Sequence, residues 1–564
     1  MKTGMLKSFA DSRRVRYGTV NTIFTAIVIA IAIVLNSIIT ILSGKFNWTL
    51  DMTSEQLYTV SDELISKLEN VSSDIDVDII FCCDKDEAEL NFTDLESGNA
   101  LSYVHATATQ LANEMENVSI VYCDPVRDYE LMKKFTLSPS QPKPTESTVI
   151  IARRGEDGEY GTHYRVYRAE SFYTFGQSEG TDRYIYGYNG ERIFATAILS
   201  LTYDKIPTVY FTSGHGESLP YLNSDGSREV PQLIKLFVDA GFEFRAIDLK
   251  DTQFTCLTDG CEETYGSIDV DWTETYFFCS ACEKEYRVDR IKCTEERQIP
   301  KTARLLIINK PCEADFDFET ELTKIHKYMI EDKGSVMCFT SYDAELPVLY
   351  DFITQQCGVT VNYGDRVYED GFNTSADKLG IRGTVASNKA AQTYLSSYSD
   401  YGSARPIFYN SATLTIDEKF MNSDTEGFND GDALRQTQPL LVTSPNASFG
   451  GMNGRYNLMT VTSMLNIHDN SRTYSYMVVC PSEGFVDNTY LSSNAYPNED
   501  IILALTHSMT AVQTPVNLDF KQFASYDLDI TLAESRIVMI CLISILPVAL
   551  CVVGFVVIRR RKLR

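Results

Sequence analysis

Pro207-Thr208-Val209-Tyr210-Phe211-Thr212-Ser213-Gly214-His215-Gly216-Glu217 reads as a short buried strand that breaks into a turn bracketed by two glycines. The six residues after Pro207 are uncharged and rich in β-branched and aromatic side chains, which suits a strand covered on both faces. Gly214 and Gly216 supply the backbone freedom that a tight turn needs. Outward from this stretch, apolar periodicity predicts helices over Gly190 to Leu201 and Val230 to Ala240, and a strand over Phe242 to Leu249. Strands follow at Arg304 to Asn309, Ser335 to Thr340 and Val359 to Val361, separated by helices at Glu319 to Glu331 and Pro347 to Gln356. Strands alternating with helices predict an α/β fold whose central domain is a parallel, doubly wound sheet of Rossmann-like or flavodoxin-like type. Ligands of such sheets sit beyond the carboxyl ends of the strands, which is where Gly214 to Glu217 falls.

Gly214, His215, Gly216 and Glu217 are therefore the expected ligand-binding loop, with side chains at the surface. A histidine beside a carboxylate can act as base and partner, or the loop amides can hold a polar ligand. Alternatively, the glycines only permit the turn and the side chains satisfy the backbone around it. Neither a G-x-S-x-G elbow nor a Walker A lysine loop accompanies the turn. No catalytic residue is assigned, and the chain is expected to be neither an ATPase nor another enzyme.

Upstream lies a predicted N-terminal α/β domain over 46–188. Thr53 with Gln56, and Ser61 with Asp62 and Glu63, mark helix starts, and Leu64, Ile65, Leu68 and Val71 recur at helical spacing. Strands are expected at Ile75 to Cys82, Val118 to Cys123, Thr148 to Ala152 and His163 to Ala169, with a helix over Leu101 to Glu116. Downstream, about 370–470 is rich in Ser, Asn, Gly and Asp and reads as loops with short strands.

Two uncharged stretches, 17–44 and 537–558, are each long enough to predict a membrane-crossing helix. The flanking 1–16 and 559–564 are basic and are expected in the cytoplasm, which puts the residues between the stretches outside it. No A-x-A cleavage site follows the first stretch, so an anchor is expected there rather than a removed signal. The net charge is −27 and the basic ends carry +4 and +5, leaving −36 for the middle. So acidic a surface repels phosphates and excludes nucleic acid as a partner.

Cys256 and Cys261 form one close pair of cysteines and Cys279 and Cys282 another, within a segment expected at 251–298. Two thiolate pairs on tight turns can close a tetrahedral structural zinc site of zinc-ribbon type, and the aromatic flanks of Cys279 fit such a knuckle. Disulfide pairing is the alternative for a segment outside the cytosol. Cys293 is left over, and Cys82, Cys83, Cys123, Cys338, Cys357 and Cys480 fall in apolar patterns that suit core positions.

Several segments together resemble the GldG-type gliding-motility family of ABC-transporter auxiliary proteins. They are Asp51-Met52-Thr53 to Leu57-Tyr58-Thr59-Val60-Ser61, Phe211 to Glu217, Leu305-Leu306-Ile307-Ile308-Asn309-Lys310-Pro311, Tyr476 to Asn488, Asn498-Glu499-Asp500 with the helix after it, and the Arg-rich end. The resemblance covers most of the chain in the same order and departs between Lys250 and Pro300. It implies a non-enzymatic extracytoplasmic accessory subunit, held in a bacterial cytoplasmic membrane and working with an ABC permease and an ATPase. Residues 189–535 then correspond to the family's auxiliary α/β domain, which is similar to a domain of an intraflagellar-transport protein suggested to bind carbohydrate or another ligand. In a bacterial protein the Asn47, Asn91 and Asn446 sequons carry no glycosylation meaning. A membrane-tethered carbohydrate- or peptide-binding protein, and an envelope hydrolase using the Gly214 to Glu217 loop, are the other classes the sequence leaves open.

Overall fold

Within 57–523 the computed structural model describes all but single positions and short stretches, the longest being 91–101, 178–182, 219–229, 370–377, 397–404, 422–427, 430–433 and 513–517. It adds six helical positions between Ile27 and Ser37. The first sheet has strands β1 (Asp76–Phe81), β2 (Val118–Tyr122), β3 (Thr148–Arg154) and β4 (Tyr160–Arg168) in the order β2-β1-β3-β4. β1 runs parallel to β2 and antiparallel to β3. Helix α1 (Asp62–Leu68) starts where the sequence marks it, because the Ser61 hydroxyl accepts from Leu64 N at 3.2 Å. Helices α2 (Ser102–Glu114) and α3 (Gly190–Ser200) complete this layer, and α3 packs on both α1 and α2.

The second sheet has 11 strands. It begins with β5 (Thr208–Ser213), helix α4 (Pro231–Asp239) and β6 (Glu243–Asp248). Next comes the cysteine segment, with short strands β7 (Thr252–Thr255), β8 (Thr264–Gly266), β9 (Tyr276–Cys279) and β10 (Lys284–Arg287). The chain then returns through β11 (Ala303–Asn309), α5 (Thr323–Ile330), β12 (Ser335–Phe339), α6 (Pro347–Cys357) and β13 (Val359–Asn362). β14 (Thr413–Ile416), β15 (Leu434–Val442), β16 (Asn457–His468), β17 (Ser471–Cys480) and α7 (Asn498–Thr510) follow.

β6, β5, β11, β12 and β17 lie side by side in that order and are all parallel. Numbered along the chain this is 2-1-3-4-5, the flavodoxin-like arrangement, whose direction of winding reverses between β5 and β11. Alternation along the strands feeds two cores. Leu305, Ile307, Met337 and Phe339 face a layer that includes α4 and α7, whereas Leu306, Ile308, Val336 and Cys338 face α5 and α6.

Three expectations need correction. The sheet is mixed rather than parallel throughout, because β17 pairs antiparallel with β16, which leads on to antiparallel β14, β13 and β15. The stretch read as loops with short strands holds β16, one of the longest strands described, together with β15. Thr437 and Thr462 are buried there and share a hydroxyl contact of 2.8 Å, so polar letters that look like loop are core residues. Third, no helix of the described residues is long and apolar enough to cross a membrane. The longest, α2 and α7, have 13 residues each and reach about 20 Å, against about 30 Å of hydrocarbon. The stretch 537–558 lies outside the described residues, as does 17–44 except for those six positions, of which Ile27, Ile31, Ile33 and Val34 are exposed.

Candidate functional site

The turn after β5 sits at the winding reversal, flanked by the loop after β11. Gly214 and Gly216 have φ of +115° and +70°, a region that costs L side chains energy. A Cβ on Gly216 would also lie 2.4 Å from Cys312 Sγ. The turn is tied to the neighbouring strand's loop, because Cys312 N and Glu313 N both donate to His215 O, at 2.9 and 3.0 Å.

His215 and Glu217 are buried, not at the surface. The Glu217 carboxylate accepts from His215 N at 2.6 Å and lies 3.3 Å from His215 Nδ1. On the other side Nε2 stands 3.1 Å from a Glu321 oxygen, and Phe316 stacks on the imidazole with ring centres 3.7 Å apart. Lys250 reaches both Glu321, at 3.5 Å, and Asp315, at 2.9 Å. Burial alone would lower the His215 pKa, but hydrogen bonds and charge from Glu217 and Glu321 overcome it and raise it to about 9. Burial likewise opposes ionisation of Glu217, yet contact with His215 holds its pKa below the ordinary value. The pair is an imidazolium between two carboxylates. At neutral pH such an imidazolium has no lone pair to accept a proton, and its contacts with both carboxylates hold the turn in place. Sequence reading found His215 and Glu217 but missed Glu321 and Phe316, which reach the His215 ring from a distant segment, and Lys250, which pairs with Glu321 behind it. Only the acidic run from Glu313 to Glu321 hinted at a cation nearby.

The second constellation lies in the segment between β6 and β11. Cys256, Cys261, Cys279 and Cys282 come together with all four Sγ atoms within 4.8 Å of one another. The nearest contacts join the two predicted pairs crosswise, Cys256 to Cys282 at 3.6 Å and Cys261 to Cys279 at 3.9 Å. A tetrahedral ion with metal–sulfur bonds of about 2.3 Å separates its sulfurs by about 3.8 Å, so the spacing suits one ion. All four are free thiols. The backbone amides of Thr258, Glu263, Ala281 and Cys282 donate to the sulfurs of Cys256, Cys261 and Cys279. Tyr265 Oη donates to Cys279 Sγ at 3.2 Å, and Tyr286 Oη lies 3.3 Å from Cys256 Sγ. Burial would raise Cys282, but contacts with Thr258, Tyr286 and the other thiols pull its pKa down to about 6. Burial would raise Cys256 as well, but Tyr286 and Thr258 hold it below the ordinary thiol value, whereas burial keeps Cys279 above that value and pushes Cys261 up to about 12. Donors directed at sulfur thus favour the metal-binding thiolate at Cys256 and Cys282 only. The four cysteines can hold a metal ion.

Of the other cysteines, Cys82, Cys83, Cys123, Cys338, Cys357 and Cys480 are buried as expected, and Cys293 packs beside the cysteine segment's core. Cys312 is exposed. Compared with known proteins, the chain matches no family model and no curated protein.

Proposed function

We propose that the protein is a non-enzymatic accessory subunit of an ABC transport complex, working outside the cytoplasm beside a permease and an ATPase. The reading rests on the ordered run of motifs resembling the GldG-type family. The structural observation that favours it is the state of the His215 turn. At the position where a doubly wound enzyme presents reactive groups, His215, Glu217 and Glu321 are engaged with one another in a buried ionic cluster. Such a turn offers a fixed shape and backbone groups to a partner or ligand, and no free base. We further propose that the four cysteines carry zinc in a structural role, since four thiolates leave no coordination position open for substrate.

Affinity purification of the full chain in mild detergent tests the first part. A permease and an ATPase recovered in stoichiometric amounts are the expected result. Recovery of the chain alone, with neither protein enriched over a mock purification, would remove the transport reading.

A further inference from the structure

We propose that Cys82 and Cys123 form a redox couple, two buried thiols that a disulfide closes between neighbouring strands of the N-terminal sheet. Each cysteine immediately follows its strand, Cys82 after β1 and Cys123 after β2. These strands are parallel, with Phe81 opposite Tyr122, and the ladder runs one step further because Cys123 N donates to Phe81 O at 3.0 Å. The register therefore sets Cys82 beside Cys123 on one face. Neighbouring strands lie about 4.8 Å apart, within the Cα span of roughly 4.4–6.8 Å that a disulfide bridges.

The side chains agree with the register. Both thiols belong to one apolar cluster with Met132 and Phe135, and Cys83 stands outside it. The Cys82 thiol donates a hydrogen bond to Cys123 Sγ. Cys123 Sγ also lies 3.6 Å from Phe81 O, and Cys82 Sγ lies 3.8 Å from Met132 Sδ. The bond from Cys82 holds Cys123 below its ordinary pKa against burial, whereas the same bond and burial push Cys82 up. Cys123 is thus the first nucleophile, with Cys82 beside it to resolve the intermediate.

Oxidation proceeds by exchange with a small disulfide such as oxidised glutathione. The Cys123 thiolate attacks one sulfur of the oxidant and releases the first thiolate, then Cys82 loses its proton and attacks Cys123 Sγ, releasing the second. Two protein thiols are oxidised, one disulfide is reduced to two thiols, and both protons pass from the cysteines to those thiols. Cys82 and Cys123 are 0% and 5% exposed, so exchange waits on opening of β2, the edge strand, and the closed bond is then shielded from reductant. The bond closes the loop from β1 to β2 that carries α2, which restricts the unfolded chain.

Disulfide mapping of the full-length protein in mild detergent tests the assignment. The protein is incubated with excess oxidised glutathione, in one arm without denaturant and in another with urea below the unfolding midpoint, until exposed Cys312 is fully modified. The expected product links Cys82 to Cys123, in the wild type and in Cys83→Ala, and yields to reductant only once denaturant is added. If Cys83→Ala fails to fold, the wild type decides, because tandem mass spectrometry of the linked peptides places the bond at Cys82 or at Cys83. Cys82 and Cys123 recovered as thiols in both arms overturn the proposal, and so does a bond from Cys83 to Cys123.

Discussion

At the scale of single residues, His215 makes stability depend on pH in a definite direction. Its folded-state pKa of about 9 lies above the ordinary value of about 6.5, so the folded state binds the proton more tightly. The stabilisation is fully present below about pH 6.5 and is lost as pH rises through 9, with a ceiling of about 3 kcal/mol for a shift of this size. Urea melts between pH 6 and pH 9.5 should show this decline, and His215→Gln should flatten it while lowering stability at pH 6. A variant whose pH profile matched the wild type would mean that the imidazolium is not the titrating group. His105 works the other way, since burial lowers its pKa and it favours the folded state at higher pH. The turn shows where sequence reading stops. Two glycines around a histidine after an apolar strand located the turn, because positive φ is written in glycine. Nothing in the letters revealed that Glu321, on the segment leading into α5, would close over the ring, because that contact depends on how the loops after β5 and β11 meet.

At the scale of elements, the cysteine segment behaves as a small unit with its own core, in which Phe254, Tyr265 and Phe277 pack around the thiols. Arg245 of β6 lies over the Tyr265 ring at 5.2 Å and also pairs with Glu263, which docks the segment on the edge of the main sheet. Purified protein should contain about one zinc per chain. Cys279→Ser should lose it and raise hydrogen exchange across 251–298, while exchange in β5, β11 and β12 stays slow. Protein free of metal with two mapped disulfides would end the zinc reading. Paired short spacings made this element legible, since ligand geometry leaves its mark in sequence distance. β15 and β16 were illegible for the opposite reason. Their buried threonines satisfy one another, and Thr437 also donates to the Cys357 carbonyl, so hydrophobic periodicity is interrupted without any loss of burial. The parallel strands posed no such difficulty, because Leu305 to Ile308 and Val336 to Phe339 are apolar on both faces.

At the scale of the whole molecule, the N-terminal sheet and the main sheet are stitched into one compact unit up to Lys521. Arg165 of β4, fully buried, bonds Ser200 at the end of α3 and the Gly241 carbonyl just before β6, while Ser138 reaches Glu243. Calorimetry should therefore give a single main transition, and Arg165→Ala should shift it down by about 3 kcal/mol of stability without dividing it. Two well-separated peaks in the wild type would show the sheets to be independent. The sequence reading placed a cysteine segment between β6 and β11, and among the described residues no α-helix links the two strands. The chain passes from Asp248 to Ala303 through the cysteine segment, whereas parallel strands are commonly joined by a helix that folds locally. That substitution bears on the tempo of biogenesis more than on the finished product. If the four thiols take up an ion as proposed, the nascent chain carries, until that ion arrives, a long slack loop at the point where the third strand must find the first, and closing such a loop is slow. Metal availability during synthesis would then set how quickly the sheet matures, and scarcity would appear as a larger pool of half-assembled chains exposed to proteolysis.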